Sequence, residues 1–339
     1  MQDIADALGY SKNAVSLALR NRPEIPYATR EKIRQKAEEM GYQTNPVVSR
    51  LMAELRSSQT PKFQAKLALI NANENRNALD HHPTIPAYVR GCERRAFQLG
   101  YSFDRFWLHD PEFSAKRVLQ ILDARNIRGI VVVGLMGQNQ LPKSYIPVWD
   151  AIPTVVTGVR TRQPALSYAC VDHHHLALRA VERVVSRGYK RPALIVDQSI
   201  DDLVQGRFSA GFMVGQKLLA KKNRIDPFLE YKKAKKDPSL FKAWMDKNKP
   251  DAVLTLYNSI HTWLVEMGFK IPEDIAFAQL ERRPSHPDMA GMNQHNDVAG
   301  EAAVEMVISQ INNNEQGIPD FPRATLIGAT WQDGATIRS

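Results

Sequence analysis

The sequence predicts a small all-α helix-turn-helix headpiece followed by an α/β part of two lobes built on parallel sheets. Three observations carry that prediction. Apolar residues recur at helical spacing through the first 45 residues, and a polar linker follows. From Lys66 onward, short apolar runs alternate with helical patterns, which marks βαβ units rather than a sandwich.

In the first stretch, Ile4 and Leu8, Val15 and Leu19, and then Ile33, Ala37 and Met40 define three short helices. Gly9 separates the first two. The two prolines of Asn21-Arg22-Pro23-Glu24-Ile25-Pro26 make that segment a loop, and Thr29-Arg30-Glu31 restarts a helix that Gly41 can end. Pro46 to Arg56 is a further short amphipathic stretch. It leads into Ser57-Ser58-Gln59-Thr60-Pro61, where the first domain boundary belongs.

Beyond it, the expected strands are Leu67 to Asn71, Tyr101 to Trp107, Gly129 to Val133 and Thr154 to Thr157, then Ala193 to Val196, Ala252 to Leu256 and Ile275 to Ala278. The expected helices are Tyr88 to Leu99, Ser114 to Arg125, His175 to Ser186, Phe208 to Ala220, Leu240 to Asn248, Ser259 to Glu266 and Val298 to Asn312. Two such sheets in succession imply two lobes with a ligand cleft between them.

The 339 residues suit two or three domains with sizeable cores. With 43% apolar and 24% charged residues, neither wholesale disorder nor a fibrous repeat fits. No apolar run approaches the roughly 20 residues of a bilayer span, and the acidic, amphipathic start is unlike a signal peptide. A cytoplasmic protein without a membrane partner is expected. Cys92 and Cys170 stand far apart without metal-ligand spacing, so they read as buried thiols.

The formal charge of +9 invites a nucleic-acid reading, but residues 1–62 carry only +3 of it. Residues 217–249 carry +7, and that lysine block reads first as a solvated surface.

The N-terminal residues carry the more specific signal. Ala5 is a small residue where two helices cross, Gly9 makes the turn, and Val15 anchors the second helix, with Ile4, Leu8 and Ala18 completing a small core. Ser11 is placed to cap that second helix, whose next residues Lys12 and Asn13 face outward at the end that enters a major groove. Lys can donate to guanine and Asn can pair bidentately with adenine. Ser16, Arg20 and Asn21 are placed for phosphate contacts, which fix register without reading sequence.

The chain resembles the lactose-repressor/galactose-repressor family of bacterial transcription regulators. The segments DIADALGYSKNAVSLAL, ATREKI, MGYQTNP, RFSAGF, GFKIPEDIAF and AGEAAVEMV occur in family order over nearly the whole chain. The resemblance implies a DNA-binding headpiece over 1–45, a hinge helix and linker over 46–62, and a periplasmic-binding-protein-like effector and dimerisation domain over 63–339. Within that domain it implies a first lobe of about 63–160 and 284–312, and a second of about 161–283 and 313–339. It also implies a homodimer or dimer of dimers on double-stranded DNA, at a pseudopalindromic operator near the nucleoid. In the family a few residues, including a Ser or Thr cap, usually precede the position of Met1.

By the same resemblance, Asn45 precedes the hinge helix, Val48 stands at a minor-groove position where alanine is common, and Leu51 matches a leucine that wedges into the minor groove. Ser49 replaces a common arginine there, and Leu17 replaces one in the recognition helix. Arg207, Asn258, Glu281 and Gln294 match effector-binding positions. Glu281 stands where aspartate is frequent, and Ser259 replaces the aspartate that usually follows the asparagine. Asn71 and Asn73 lie where open α/β sheets place ligands. A sugar-like metabolite is the implied effector.

Rival readings remain open at this level. A solute-binding receptor without a regulatory role would share the lobes but lack the headpiece. A non-specific DNA-binding protein would show little preference among duplexes. His173-His174-His175 beside Asp172 do not make a metal site, because adjacent residues cannot all face one ion, and Asp172 is placed to cap the following helix. GxSxG, HExxH, P-loop and GxGxxG patterns are absent, so no enzyme, metal or cofactor is expected.

Overall fold

The computed structural model describes residues 2–19, 24–40 and 65–338. The expectations for Arg20, Asn21, Asn45, Val48 and Leu51 lie outside the described residues. For Lys12, Asn13 and Ser16 the backbone alone is described.

Three helices form the N-terminal unit: α1 (Gln2–Leu8), α2 (Lys12–Leu19) and α3 (Tyr27–Glu39). Ile4, Ala5, Val15, Ala18, Ile33 and Ala37 close its core. Gly9, at φ +70°, makes the turn after α1. Ser11 then caps α2, its Oγ accepting the Ala14 backbone N–H at 3.1 Å.

The rest of the described chain forms two sheets. The first holds β1 (Ala65–Asn71), β2 (Tyr101–Trp107), β3 (Ile127–Val133), β4 (Thr154–Thr157), β5 (Ser167–Val171) and β10 (Ala324–Ile327), all parallel, in the order β10-β5-β4-β3-β1-β2. The second holds β6 (Pro192–Ile195), β7 (Ala252–Thr255), β8 (Ala276–Gln279), β9 (Ala290–Asn293) and β11 (Thr330–Gln332), in the order β11-β9-β8-β7-β6. Its members are parallel except β11, which runs antiparallel to β9. Inner strands such as β4 and β7 are buried along their whole length because helices cover both faces, and their centres, Val155-Val156 and Val253-Leu254, are apolar.

The chain passes from one sheet to the other after β5, after β9 and after β10. This corrects the expected lobe limits. Residues 167–171 belong to the first sheet rather than to a second lobe starting at 161, residues 290–293 belong to the second, and residues 324–327 return to the first. Of these strands, β9 is interrupted by Gly291, and β10 lies at the sheet edge and alternates in exposure as edge strands do.

Each lobe clamps a helix pair through glycines. In the first lobe, Ile85–Gln98 lies against Asn296–Asn312. A Cβ on Gly91 would sit 1.8 Å from the Asp297 carbonyl oxygen, and one on Gly300 2.2 Å from that of Tyr88. In the second, Arg207–Gly215 lies against His173–Ser186, and a Cβ on Gly211 would sit 2.1 Å from the His174 carbonyl oxygen. Asp172 caps the latter helix, accepting the His175 N–H at 3.1 Å. Cys92 and Cys170 are free and buried.

Candidate effector site and DNA-reading headpiece

Loops at the carboxyl ends of strands from both sheets enclose a cavity of about 470 Å³, inside the range of roughly 300–1,000 Å³ usual for small-molecule sites. Gly134, Leu135 and Met136 follow β3, and Gly158 and Val159 follow β4. Tyr257, Asn258 and Ser259 follow β7; Glu281 and Arg283 follow β8; Gln294 follows β9.

Glu281 ties the two lobes together. Its Oε2 accepts hydrogen bonds from the Thr84 hydroxyl at 3.1 Å and from Arg283 at 3.0 Å, and its Oε1 accepts the Asn296 amide at 3.1 Å. Thr84 and Asn296 belong to the first lobe, so one carboxylate of the second lobe grips two elements of the other. His82 stands beside this cluster, its Nδ1 accepting the Thr84 N–H at 3.1 Å. Burial, and then the charge of Arg283, lower its pKa. Tyr88 is pushed well above the usual phenol range by burial and by the Glu281 charge.

A second wall is apolar and aromatic. Ile200, Leu203, Val204 and Phe208 line it, and His173 packs edge-on against Phe208 with ring centroids 4.9 Å apart. Burial and the Arg207 charge bring His173 down to about 4 against the opposing effect of Asp172, so its imidazole is neutral at pH 7. Tyr231 stacks on Tyr257 at 3.5 Å, and its hydroxyl pairs with Ser259 at 2.8 Å.

Of the residues singled out from the sequence, Asn258, Glu281 and Gln294 come together in this cavity. The first and last are already engaged. Asn258 accepts a hydrogen bond from Gln279 and lies 3.1 Å from a ring nitrogen of His286, while Gln294 donates to the Leu280 carbonyl at 2.8 Å.

The other three sit elsewhere. Arg207 opens its helix and donates to the Tyr168 hydroxyl at 3.2 Å, in a small slot behind the wall formed by Val159, His173, Leu203 and Val204. Arg207 and Phe208 leave their helix about 100° apart, and of the two it is Phe208 that lines the cavity. Asn71 and Asn73 build their own loop. Asn71 is buried and donates to the carbonyls of Asn75 and Arg76 at 3.1 and 3.0 Å, and Asn73 donates to that of Gly134 at 3.1 Å. Each side-chain oxygen also accepts the N–H two residues on, a tandem of Asx turns.

Sequence reasoning missed His82, Thr84, Tyr88, Phe208, Tyr257 and Arg283. The signal available was positional: Tyr257 and Arg283 sit just after strands of the second sheet, where open α/β sheets bind ligands. Among the described residues no group of His, Cys, Asp and Glu could hold a metal ion, and no helix is long and apolar enough to cross a membrane.

Two family descriptions match the chain: bacterial regulatory proteins of the lacI family over residues 1–45, and the periplasmic binding protein-like domain over residues 181–333. The HTH-type transcriptional regulator MalR of Streptococcus pneumoniae is 21% identical, the match covering 93% of each protein. The HTH-type transcriptional regulator GntR of Escherichia coli is 23% identical, over 99% of this chain and 98% of its own.

Among solved structures, the fold matches the Lac repressor dimer bound to operator and the anti-inducer ONPF, with a TM-score of 0.60 and 16% identity over 99% of this chain and 98% of that one. It also matches a CelR–cellobiose complex, with a TM-score of 0.59 and 17% identity over 98% of both chains.

A helix-turn-helix unit joined to a two-lobed, periplasmic-binding-protein-like domain defines a class, the DNA-binding transcriptional regulators with a small-molecule-binding type of fold. Within that class, residues 1–45 match the lacI family of bacterial regulatory proteins, and the MalR and GntR regulators are similar to the chain over nearly its whole length.

Proposed function

We propose that this regulator is a sequence-specific repressor whose affinity for its operator is set by a small molecule held between the lobes. The observation that carries the reading is Glu281. One carboxylate in the cavity wall receives hydrogen bonds from both lobes, so a ligand that engages the residues around it biases how the lobes meet. Engaged by three donors, Glu281 holds Arg283 in place and joins Thr84 and Asn296 of the first lobe to the second.

The headpiece supplies the other half. With Ser11 capping α2, Lys12 and Asn13 occupy its first turn, the end that reads base edges, and Ser16, Arg20 and Asn21 contact phosphates. Asn45, Val48 and Leu51 act in the hinge, with Leu51 as a minor-groove wedge. Chains pair as a homodimer, or a dimer of dimers, on a pseudopalindromic operator in the bacterial cytoplasm. A ligand with a coupling energy of about 1–3 kcal/mol changes operator affinity by roughly 5- to 150-fold, as a corepressor or an inducer.

In vitro selection from a random duplex pool, followed by anisotropy titration at several salt concentrations, tests this function. A palindromic consensus with a steep salt slope is expected. Equal affinity for selected and random duplexes would reduce the chain to a non-specific DNA binder.

A further inference from the structure

The cavity also states what kind of molecule it takes, an inference that rests on the reading of this cavity as the effector site. A sugar carries hydroxyls all around the rim of its ring, and each needs at least one hydrogen-bond partner. A hydroxyl held against hydrocarbon without a partner costs on the order of 1–3 kcal/mol. Here one side of the cavity is hydrocarbon, formed by Ile200, Leu203, Val204 and Phe208 from the second lobe with Leu135 and Val159 from the first. The arginine that could have given that side hydrogen bonds, Arg207, faces the slot behind it.

Much of the polar capacity of the cavity is already spent. Asn258 is tied to Gln279 and His286, Gln294 to the Leu280 carbonyl, Ser259 to Tyr231, and Thr84 to Glu281. What remains at the Glu281 end is a set of donors. Arg283 Nε is buried without a partner. The Nδ1 of His82 accepts a backbone N–H, which leaves the Nε2 proton of the neutral ring free to donate. The phenol of Tyr88 lines the same end.

We infer that the ligand is an amphipathic molecule with an apolar, ring-sized body against the Ile200–Phe208 wall and one oxygen-acceptor end, a carbonyl or carboxylate, on Arg283, His82 and Tyr88. A polyhydroxylated sugar is not the ligand. The acceptor takes the Arg283 Nε proton, the body displaces water from the hydrocarbon wall, and Glu281 keeps its three donors.

Calorimetry on the full chain with 1-naphthylacetamide, 1-naphthylacetate, D-glucose and cellobiose as probes tests this, with operator anisotropy run in parallel. At least one naphthyl compound binds at least about tenfold tighter than either sugar, the amide and acid together showing whether the acceptor is neutral or charged. Ile200→Asn, on a partly exposed wall position, and Arg283→Lys, which keeps the charge but removes Nε–H, each weaken the preferred probe by about tenfold. Tighter binding of a sugar, or no binding of either naphthyl compound, overturns the assignment. So does naphthyl binding that both variants leave unchanged, because the probe then sits elsewhere. A sugar that binds and shifts operator affinity would sink the ligand class and leave the effector reading standing. A naphthyl probe that needs Ile200 and Arg283 yet leaves operator affinity unchanged would uphold the ligand class and sink the regulatory reading.

Discussion

The two lobes use the same device and finish it differently. Both lock a helix pair by glycine contact, and in both the first turns of those helices reach the cavity or a side chain lining it. The pair in the first lobe brings Tyr88, a phenol on the cavity, and Asn296, whose amide holds Glu281. The pair in the second lobe brings Phe208 and His173, packed on each other and without charge at neutral pH. Shared architecture therefore says little about the ligand. The residues that open the helices decide it, and in the second lobe a step of one residue, Phe208 in place of Arg207, turns a wall that could have been polar into an apolar one.

The largest effect on this comparison is expected from Phe208→Ala. Phe208 is 2% exposed, so its truncation costs about 3–5 kcal/mol in urea unfolding and enlarges the apolar side of the cavity. A cost below 1 kcal/mol would mean that the wall is not packed as described.

His173 comes next. Its pKa is about 4 in the fold and 6.5 when unfolded, so above pH 6.5 both states are neutral and stability does not depend on this group. As the pH falls from 6.5 towards 4, the unfolded state takes the proton first, and stability of order 3 kcal/mol is lost across that window. His173→Gln should flatten that part of the profile. An unchanged acid limb would show that another group carries it.

The glycine clamps follow, at about 1–3 kcal/mol each for Gly91→Ala and Gly211→Ala. Calorimetric scans of the two variants separate the lobes: the Gly211 variant should also weaken ligand binding at the Phe208 wall, and the Gly91 variant should weaken it less. Equal losses of binding would erase the distinction between the lobes. Smallest, and outside both lobes, Ser11→Ala should cost the headpiece about 1 kcal/mol, seen as faster hydrogen exchange of the α2 amides.

What could be read from the sequence was local in it. The Ser11 cap, the Gly9 turn and the core of Ile4, Ala5 and Val15 lie within one stretch of chain, and an inner strand such as β3 carries the buried run 129–133, covered on both faces. The strands that escaped notice are short, polar at one face or interrupted by glycine, as in Ala290-Gly291-Met292-Asn293. The cavity was harder still. Its lining comes from segments between His82 and Gln294 that only the two sheets bring together, and which of Arg207 and Phe208 faces it depends on the helical phase set after Gly206, at φ +73°. Asn71 and Asn73 mislead for a related reason. At the mouth of a sheet, asparagine serves loop closure as readily as ligand binding, and here its amides are occupied by backbone.

The central claim is that the cavity and the DNA-binding end of the molecule are energetically coupled, and it can be tested before any ligand is known. Hydrogen exchange of the full chain is measured alone, with a selected operator duplex and with a scrambled duplex. Linkage requires that whatever binds one site changes the other. The account predicts that the operator, and not the scrambled duplex, changes protection at residues 82–92 and 200–208 as well as in the headpiece. Changes confined to residues 1–62 would contradict it.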